Sequence, residues 1–209
     1  MKTGIIGGTF DPIHKGHISI AEAAYTEYRL DRLIFMPAGD PYFKSGKNVT
    51  PAGLRLEMTR ACISAYSERF ECSDFEIRDK NTYSSITFSR LKLLYPEEDY
   101  YFIMGLDSLI SLPKWYKPDL LLKNTVILCA SRETDGPSAA EAEELVTRQR
   151  EYFSEKYSLS ADIRLIHTPL VDISSTQIRE KVRRNEDISG LVTPETEAFI
   201  YKHKLYRER

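Results

Sequence analysis

Residues 3–17 read Thr3-Gly4-Ile5-Ile6-Gly7-Gly8-Thr9-Phe10-Asp11-Pro12-Ile13-His14-Lys15-Gly16-His17, and the fold turns on this stretch. Thr3 to Gly7 is an apolar run of strand length that ends in glycines. Beyond His17, Ile18 to Tyr28 places Ile18, Ala21, Ala24 and Tyr25 at helical spacing. A buried strand feeding a helix through a glycine turn is the opening unit of an open parallel sheet. In such sheets ligands bind beyond the carboxyl ends of the strands.

Outward from this unit the same alternation repeats. Arg32 to Pro37 predicts a strand closed by proline, Leu54 to Tyr66 a helix after Pro51, and Phe70 to Ile77 a strand by its alternation. Ser85 to Leu94 predicts a helix stopped before Pro96, and Asp99 to Met104 a strand running into Gly105. Thr125 to Ala130 and Ile163 to His167 read as strands, with the charged helix Ala139 to Tyr157 between them. Ser175 to Arg184 and Glu195 to His203 close the pattern as helices. The expected fold is therefore α/β, a Rossmann-like doubly wound parallel sheet with helices on both faces. No composition break, repeat or low-complexity tract divides the chain. The expectation is one domain over residues 1–209, with a helical C-terminal part from about residue 174. The turn-rich stretches Asp40 to Pro51 and Thr134 to Ser138 are expected as loops.

Composition narrows the function. Lys+Arg number 29 and Asp+Glu 31, a formal net charge of −2, which lacks the basic excess of a nucleic-acid binder. A small nucleotide needs only a local site and remains open. Hydrophobic residues at 42% and charged ones at 29% suit a soluble globular protein. Cys62, Cys72 and Cys129 are scattered and odd in number, which fits reduced thiols and not a disulfide framework or zinc ribbon. No secretory pattern and no bilayer-length apolar run is present. The expectation is a cytoplasmic protein without membrane or nucleic-acid partners, with homo-oligomerisation left open.

Two motifs carry chemistry. In the first, the glycines of Gly7-Gly8-Thr9-Phe10 allow close backbone approach, and the following helix N-terminus favours an anion. His14 and His17 stand where they can donate to phosphate oxygens, and they are two of only four histidines. The run is neither G-x-x-x-x-G-K-[ST] nor G-x-G-x-x-G, which disfavours a hydride-transferring dehydrogenase. Zinc would need further ligands that the neighbouring sequence does not supply. In the second motif, Ile173-Ser174-Ser175-Thr176-Gln177-Ile178-Arg179, Ser174 or Ser175 can cap a helix. Arg179 falls on the same side of the first turn as Thr176, and a guanidinium grips phosphate in a fork.

The first run resembles the G-G-T-F-D-P-x-H-x-G-H signature of the H-x-G-H nucleotidyltransferases. That superfamily includes adenylyl- and cytidylyltransferases. The second is similar to its I-S-S-T-x-I-R signature, which holds the triphosphate of ATP. Between them the chain resembles the bacterial nicotinate-nucleotide adenylyltransferases. The matching stretches are Met36-Pro37-Ala38-Gly39 with Lys44, Arg55-Leu56-Glu57-Met58, and Phe102 to Leu109. They continue through Leu112 with Trp115, Arg132, and the ending Ile200-Tyr201 with Leu205-Tyr206.

The resemblance implies ATP and nicotinate mononucleotide as substrates, with Mg²⁺ carried on the phosphates and no metal ligands from the protein. It implies His14, His17 and Arg179 as catalytic residues. Gly7, Gly8, Thr9, Phe10, Gly105, Asp107, Ile173, Ser174, Ser175 and Thr176 would bind ATP. Lys44, Tyr83, Ser84, Trp115, Tyr116 and Arg132 would bind the acceptor. Trp115 would stack on the pyridine ring, and its polar-tipped neighbours predict a loop position. The chain departs from the family's S-Y-T-x-D-T at Ser84 and Ile86, and from P-P-H-K at Tyr42 and Phe43, all on the acceptor side. The alternatives are transfer to nicotinamide mononucleotide or phosphopantetheine, or a nucleotide sensor without turnover.

Overall fold

A computed structural model describes residues 1–39, 49–66, 68–79, 83–130, 138–167 and 172–207. In chain order the elements begin with β1 (Lys2–Gly8), α1 (Lys15–Glu27), β2 (Arg32–Pro37), α2 (Ala52–Ile63), β3 (Phe70–Cys72), α3 (Phe75–Asp79) and α4 (Ser84–Leu94). They continue with β4 (Asp99–Gly105), α5 (Leu106–Ser111), α6 (Pro118–Asn124), β5 (Val126–Ala130), α7 (Ala139–Tyr157), β6 (Ile163–Ile166), α8 (Ser175–Arg183) and α9 (Pro194–Lys202). The strands form one six-stranded sheet in the order β3-β2-β1-β4-β5-β6, the doubly wound arrangement expected. No helix of the described residues is long and apolar enough to cross a membrane.

The chain divides into two compact units. The first comprises Met1–Gly7, Ile20–Leu33 and Tyr83–Leu170. Here β1 runs parallel to β4, with Gly4 opposite Tyr101 and Ile6 opposite Ile103, and β4 parallel to β5 and β5 to β6 follow in register. Strands buried on both faces read as continuous apolar runs, and β4 is buried from Tyr100 to Met104. Gly4 lets the Leu30 side chain pack close to β1, because a Cβ there would lie 2.6 Å from Leu30 Cδ1 and displace it. The turn at β1 and β4 is the switch point of the sheet order, and their carboxyl ends carry Gly7 and Gly105.

The second unit comprises Gly8–Ser19, Ile34–Thr82 and Val171–Arg209. Its core gathers Phe10, Ile13, Phe35, Met58, Ile178, Val182, Val192 and Ile200, each at most 2% exposed. Helix α2 packs on α9 within it.

Several elements differ from expectation. The alternation from Phe70 to Ile77 does not continue as a strand. β3 ends at Cys72, and Ser73 Oγ accepts from the Phe75 N–H at 3.2 Å, which turns the chain into α3. Asp74 then pairs with Arg78 at 2.8 Å across one helical turn. Helix α1 starts at Lys15, not Ile18, so His17 lies inside its first turn. Helices α5 and α6 were not anticipated. Pro118 at the first turn of α6 was the available signal, since proline there needs no N–H partner. The expected loop Asp40 to Pro51 falls outside the described residues over 40–48, and Thr134 to Ser138 does so over 134–137.

Candidate active site

The first motif forms a tight turn in the second unit. Phe10 takes a left-handed φ of 49°, and the Asp11–Pro12 peptide is cis. Gly8 is required by this turn, because a Cβ there would stand 2.9 Å from the Phe10 ring. The buried Phe10 ring meets His17 edge-on at 5.0 Å between centroids. The His14 and His17 rings stack at 3.7 Å and 29°. His14 is 5% exposed and His17 half-buried. The His14 backbone N–H donates to His17 Nδ1 at 3.2 Å. A neutral imidazole that accepts at Nδ1 carries its proton on Nε2, which makes Nε2 the donor of His17.

The second motif docks on the first, within the same unit. Ser174 is the N-cap of α8, its Oγ accepting from the Gln177 N–H at 3.1 Å. Ser175 Oγ donates to the Pro12 carbonyl at 2.8 Å. Arg179 Nη1 donates to the Asp11 carbonyl at 2.7 Å and Nη2 to Thr176 Oγ1 at 3.2 Å. Thr176, accepting from Arg179, retains its O–H to donate. Ile173 packs below at 7% exposure. A guanidinium, two imidazoles and the amides of a helix N-terminus thus stand in one unit, a donor set suited to an anion.

Apart from Thr9, which belongs to the second unit, the remaining described candidates lie in the first unit. Thr9 is part of the turn already described, while Gly7 is the penultimate residue of β1 and Gly105 the last of β4. Gly105 is the N-cap residue of α5, with φ −85°, a conformation any residue adopts. Asp107 sits exposed in the first turn of α5. Burial first, and Asp107 second, push the Cys129 thiol up to about 12.

Trp115 lies half-buried in a bend, as its neighbours predicted, with its ring 6.4 Å from Phe102. Trp115 Nε1 donates to Ser111 Oγ at 3.0 Å. Tyr116 is 47% exposed, and its ring lies 4.6 Å from Tyr83, the N-cap residue of α4, where Ser84 begins. Lys44 and Arg132 lie outside the described residues.

Sequence reasoning missed four supporting residues. Arg55 is 1% exposed and donates to the carbonyls of Thr50 (2.9 Å), Thr9 (2.7 Å), Ala38 and Gly39 (both 2.8 Å). An arginine on a helix is solvated by default, so only its place in a family-like stretch marked it. Ser85, 2% exposed, donates to the Tyr116 carbonyl at 2.7 Å and so fixes the bend carrying Trp115. Asp11 and Tyr206 pair at 2.7 Å, a contact between residues 195 apart that no local pattern announces.

The cytidylyltransferase-like family model matches residues 5–181, and the chain belongs to this family of nucleotidyltransferases. Among its members the chain falls with the nicotinate-nucleotide adenylyltransferases. It is 36% identical over 207 residues to the probable nicotinate-nucleotide adenylyltransferase of Clostridium tetani, covering 99% of each chain. It is 38% identical over 208 residues to that of Clostridium botulinum, covering 99% of this chain and 98% of the relative. In fold it is similar to a solved structure, Plasmodium falciparum nicotinic acid mononucleotide adenylyltransferase complexed with NaAD. The TM-score is 0.78 at 19% identity, with 98% of this chain and 97% of that chain covered.

Proposed function

We propose that this chain transfers the adenylyl group of ATP to nicotinate mononucleotide, giving nicotinate adenine dinucleotide and pyrophosphate, in NAD biosynthesis. The observation that carries the reading is the docking of Arg179 and Ser175 onto the Asp11–Pro12 turn that bears His14 and His17. It supports a reading in which both nucleotidyltransferase signatures act as one donor set. Residues 1–209 act in this reading as one nucleotidyltransferase domain.

The 5′-phosphate of the mononucleotide attacks the α-phosphorus of ATP, a new P–O bond forms, and the bond to pyrophosphate breaks. The nucleophile is already anionic, so the protein's contribution is positioning and charge neutralisation, with no covalent intermediate. His14 and His17 donate to phosphate oxygens as charge moves to the leaving group. Arg179, Thr176 and the first amides of α8 hold the β- and γ-phosphates, while Ser174 and Ser175 keep that helix end in place. Gly7, Gly8, Thr9 and Phe10 allow the backbone to approach ATP. Gly105 and Asp107 meet its ribose.

Among the described residues no group of three or more His, Cys, Asp or Glu side chains is placed to hold a metal. Arg179, Thr176 and the first amides of α8 would receive a triphosphate carrying Mg²⁺, and the ion would supply further charge neutralisation there. On the acceptor side Trp115 stacks on the pyridine ring, with Tyr83, Ser84 and Tyr116 around it. Lys44 and Arg132 complement its phosphate.

The test is pyrophosphate release from ATP and Mg²⁺, with nicotinate and nicotinamide mononucleotides compared side by side. A strong preference for the nicotinate form is expected, since a donor left unpaired against the amide is costly. Equal use would overturn the acceptor, and no release with any phosphate acceptor would overturn the enzyme reading. Within this assay, Trp115→Ala is expected to raise KM for nicotinate mononucleotide roughly ten- to a hundredfold, the stacking energy of one base-like ring. KM for ATP should stay near wild type. An unchanged acceptor KM would remove Trp115 from the site.

A further inference from the structure

We infer that Tyr206 is a positioning residue for the triphosphate site, acting through Asp11 on Arg179. It rests on the reading of Arg179 as a phosphate ligand and deepens it.

Asp11 is a hub within the second unit. The residue is buried, 5% exposed. Oδ1 accepts from Tyr206 Oη at 2.7 Å and Oδ2 from the Thr50 N–H at 3.3 Å. Its backbone carbonyl accepts from Arg179 Nη1 at 2.7 Å. The carboxylate grips the side chain from beyond α9, and the carbonyl of the same residue orients the guanidinium. A change in how Asp11 is held therefore shifts the point from which Arg179 hangs.

The chain reaches this contact by a costly route. Within three residues, Lys204 and Tyr206 adopt left-handed φ values of 52° and 63°. Non-glycine residues avoid that region, and where surrounding contacts enforce it the conformation tends to serve a site. The Leu205 N–H bonds to the Ile200 carbonyl at 3.0 Å, which ties the turn back to α9. Burial first, then the Asp11 charge, push the Tyr206 phenol far above its ordinary range, while Arg179 pulls the other way. Tyr206 thus meets Asp11 as a neutral O–H donor.

The test is ATP·Mg²⁺ binding by calorimetry on wild type, Tyr206→Phe, Arg179→Ala and the double variant, with thermal midpoints and nicotinate mononucleotide binding measured alongside. Phenylalanine keeps the ring and removes only the donor. Tyr206→Phe is expected to weaken ATP about tenfold, the loss of a hydrogen bond to a charged group. Acceptor binding should be unchanged, and the thermal midpoint should fall by only about 2–8 °C, because Asp11 loses one donor and keeps the Thr50 N–H. In the Arg179→Ala background the effect should vanish, because the coupled partner is gone.

Equal ATP affinity in Tyr206→Phe, or an undiminished effect beside Arg179→Ala, would overturn the inference. So would loss of both ligands together with thermal stability, which would make Tyr206 merely structural. ATP binding needs no acceptor, so failure of pyrophosphate release with nicotinate mononucleotide would sink the acceptor reading and leave this one standing. If Arg179→Ala binds ATP like wild type, the phosphate-ligand role of Arg179 falls first, and this inference with it.

Discussion

Replacing His17 with alanine is expected to lower kcat for pyrophosphate release about 10²–10³-fold, the effect of losing one preorganised donor aimed at developing charge. The geometry supports a direct role over a structural one. His17 sits in the first turn of α1 and takes the His14 N–H on Nδ1, leaving Nε2 to donate. Its structural contacts include one hydrogen bond, the stack on His14 and an edge contact with Phe10, so the alanine variant should lose about 1–2 kcal/mol of stability. That is less than the roughly 3–4 kcal/mol implied in the transition state. Steady-state kinetics at saturating ATP and acceptor, with a thermal melt of the same preparation, separate the two. Turnover within a few-fold of wild type would show that His17 only packs the turn.

Replacing Arg55 with leucine is expected to destabilise the protein by about 3–5 kcal/mol, the scale seen when one side of a buried charged network is removed. Four backbone carbonyls, of Thr9, Ala38, Gly39 and Thr50, would lose their guanidinium donor in a site that is almost closed to water. Each such orphaned acceptor costs about 1–3 kcal/mol, and relaxation recovers part of the sum. Against a typical total of roughly 5–15 kcal/mol, the midpoint of urea unfolding should fall sharply. A drop of less than about 1 kcal/mol would mean that the carbonyls find other partners and that Arg55 is not the clamp. Arg55→Lys should fall between wild type and leucine, because an ammonium lacks the planar fork that reaches separate carbonyls.

The parts of the fold legible in advance were those with a strong period. β2 over Arg32 to Pro37 and α7 over Ala139 to Tyr157 match the reading, because an apolar run closed by proline and a charged amphipathic face are properties of the segment itself. The stretch from Phe70 to Ile77 was misread, because a two-residue polar turn at Ser73 and Asp74 outweighed the alternation around it. Helix α6 escaped notice because Leu120, Leu121 and Leu122 form an apolar run with no clear helical spacing.

Local chemistry marked the donors of the site. Glycine before a helix, two histidines three apart and an arginine one turn past a capping serine carry their meaning in a few consecutive residues. The sequence by itself therefore determined the doubly wound class and the nucleotidyltransferase chemistry. Only the tertiary structure decided that Arg179 and Tyr206 both close on Asp11, that Ser175 is tied to Pro12, and that Arg55 lies buried among carbonyls. Those contacts join residues as far as 195 apart. They depend on the path of the whole chain, which sets which backbone groups are hidden from water and which side chain reaches them, and no short-range pattern encodes that.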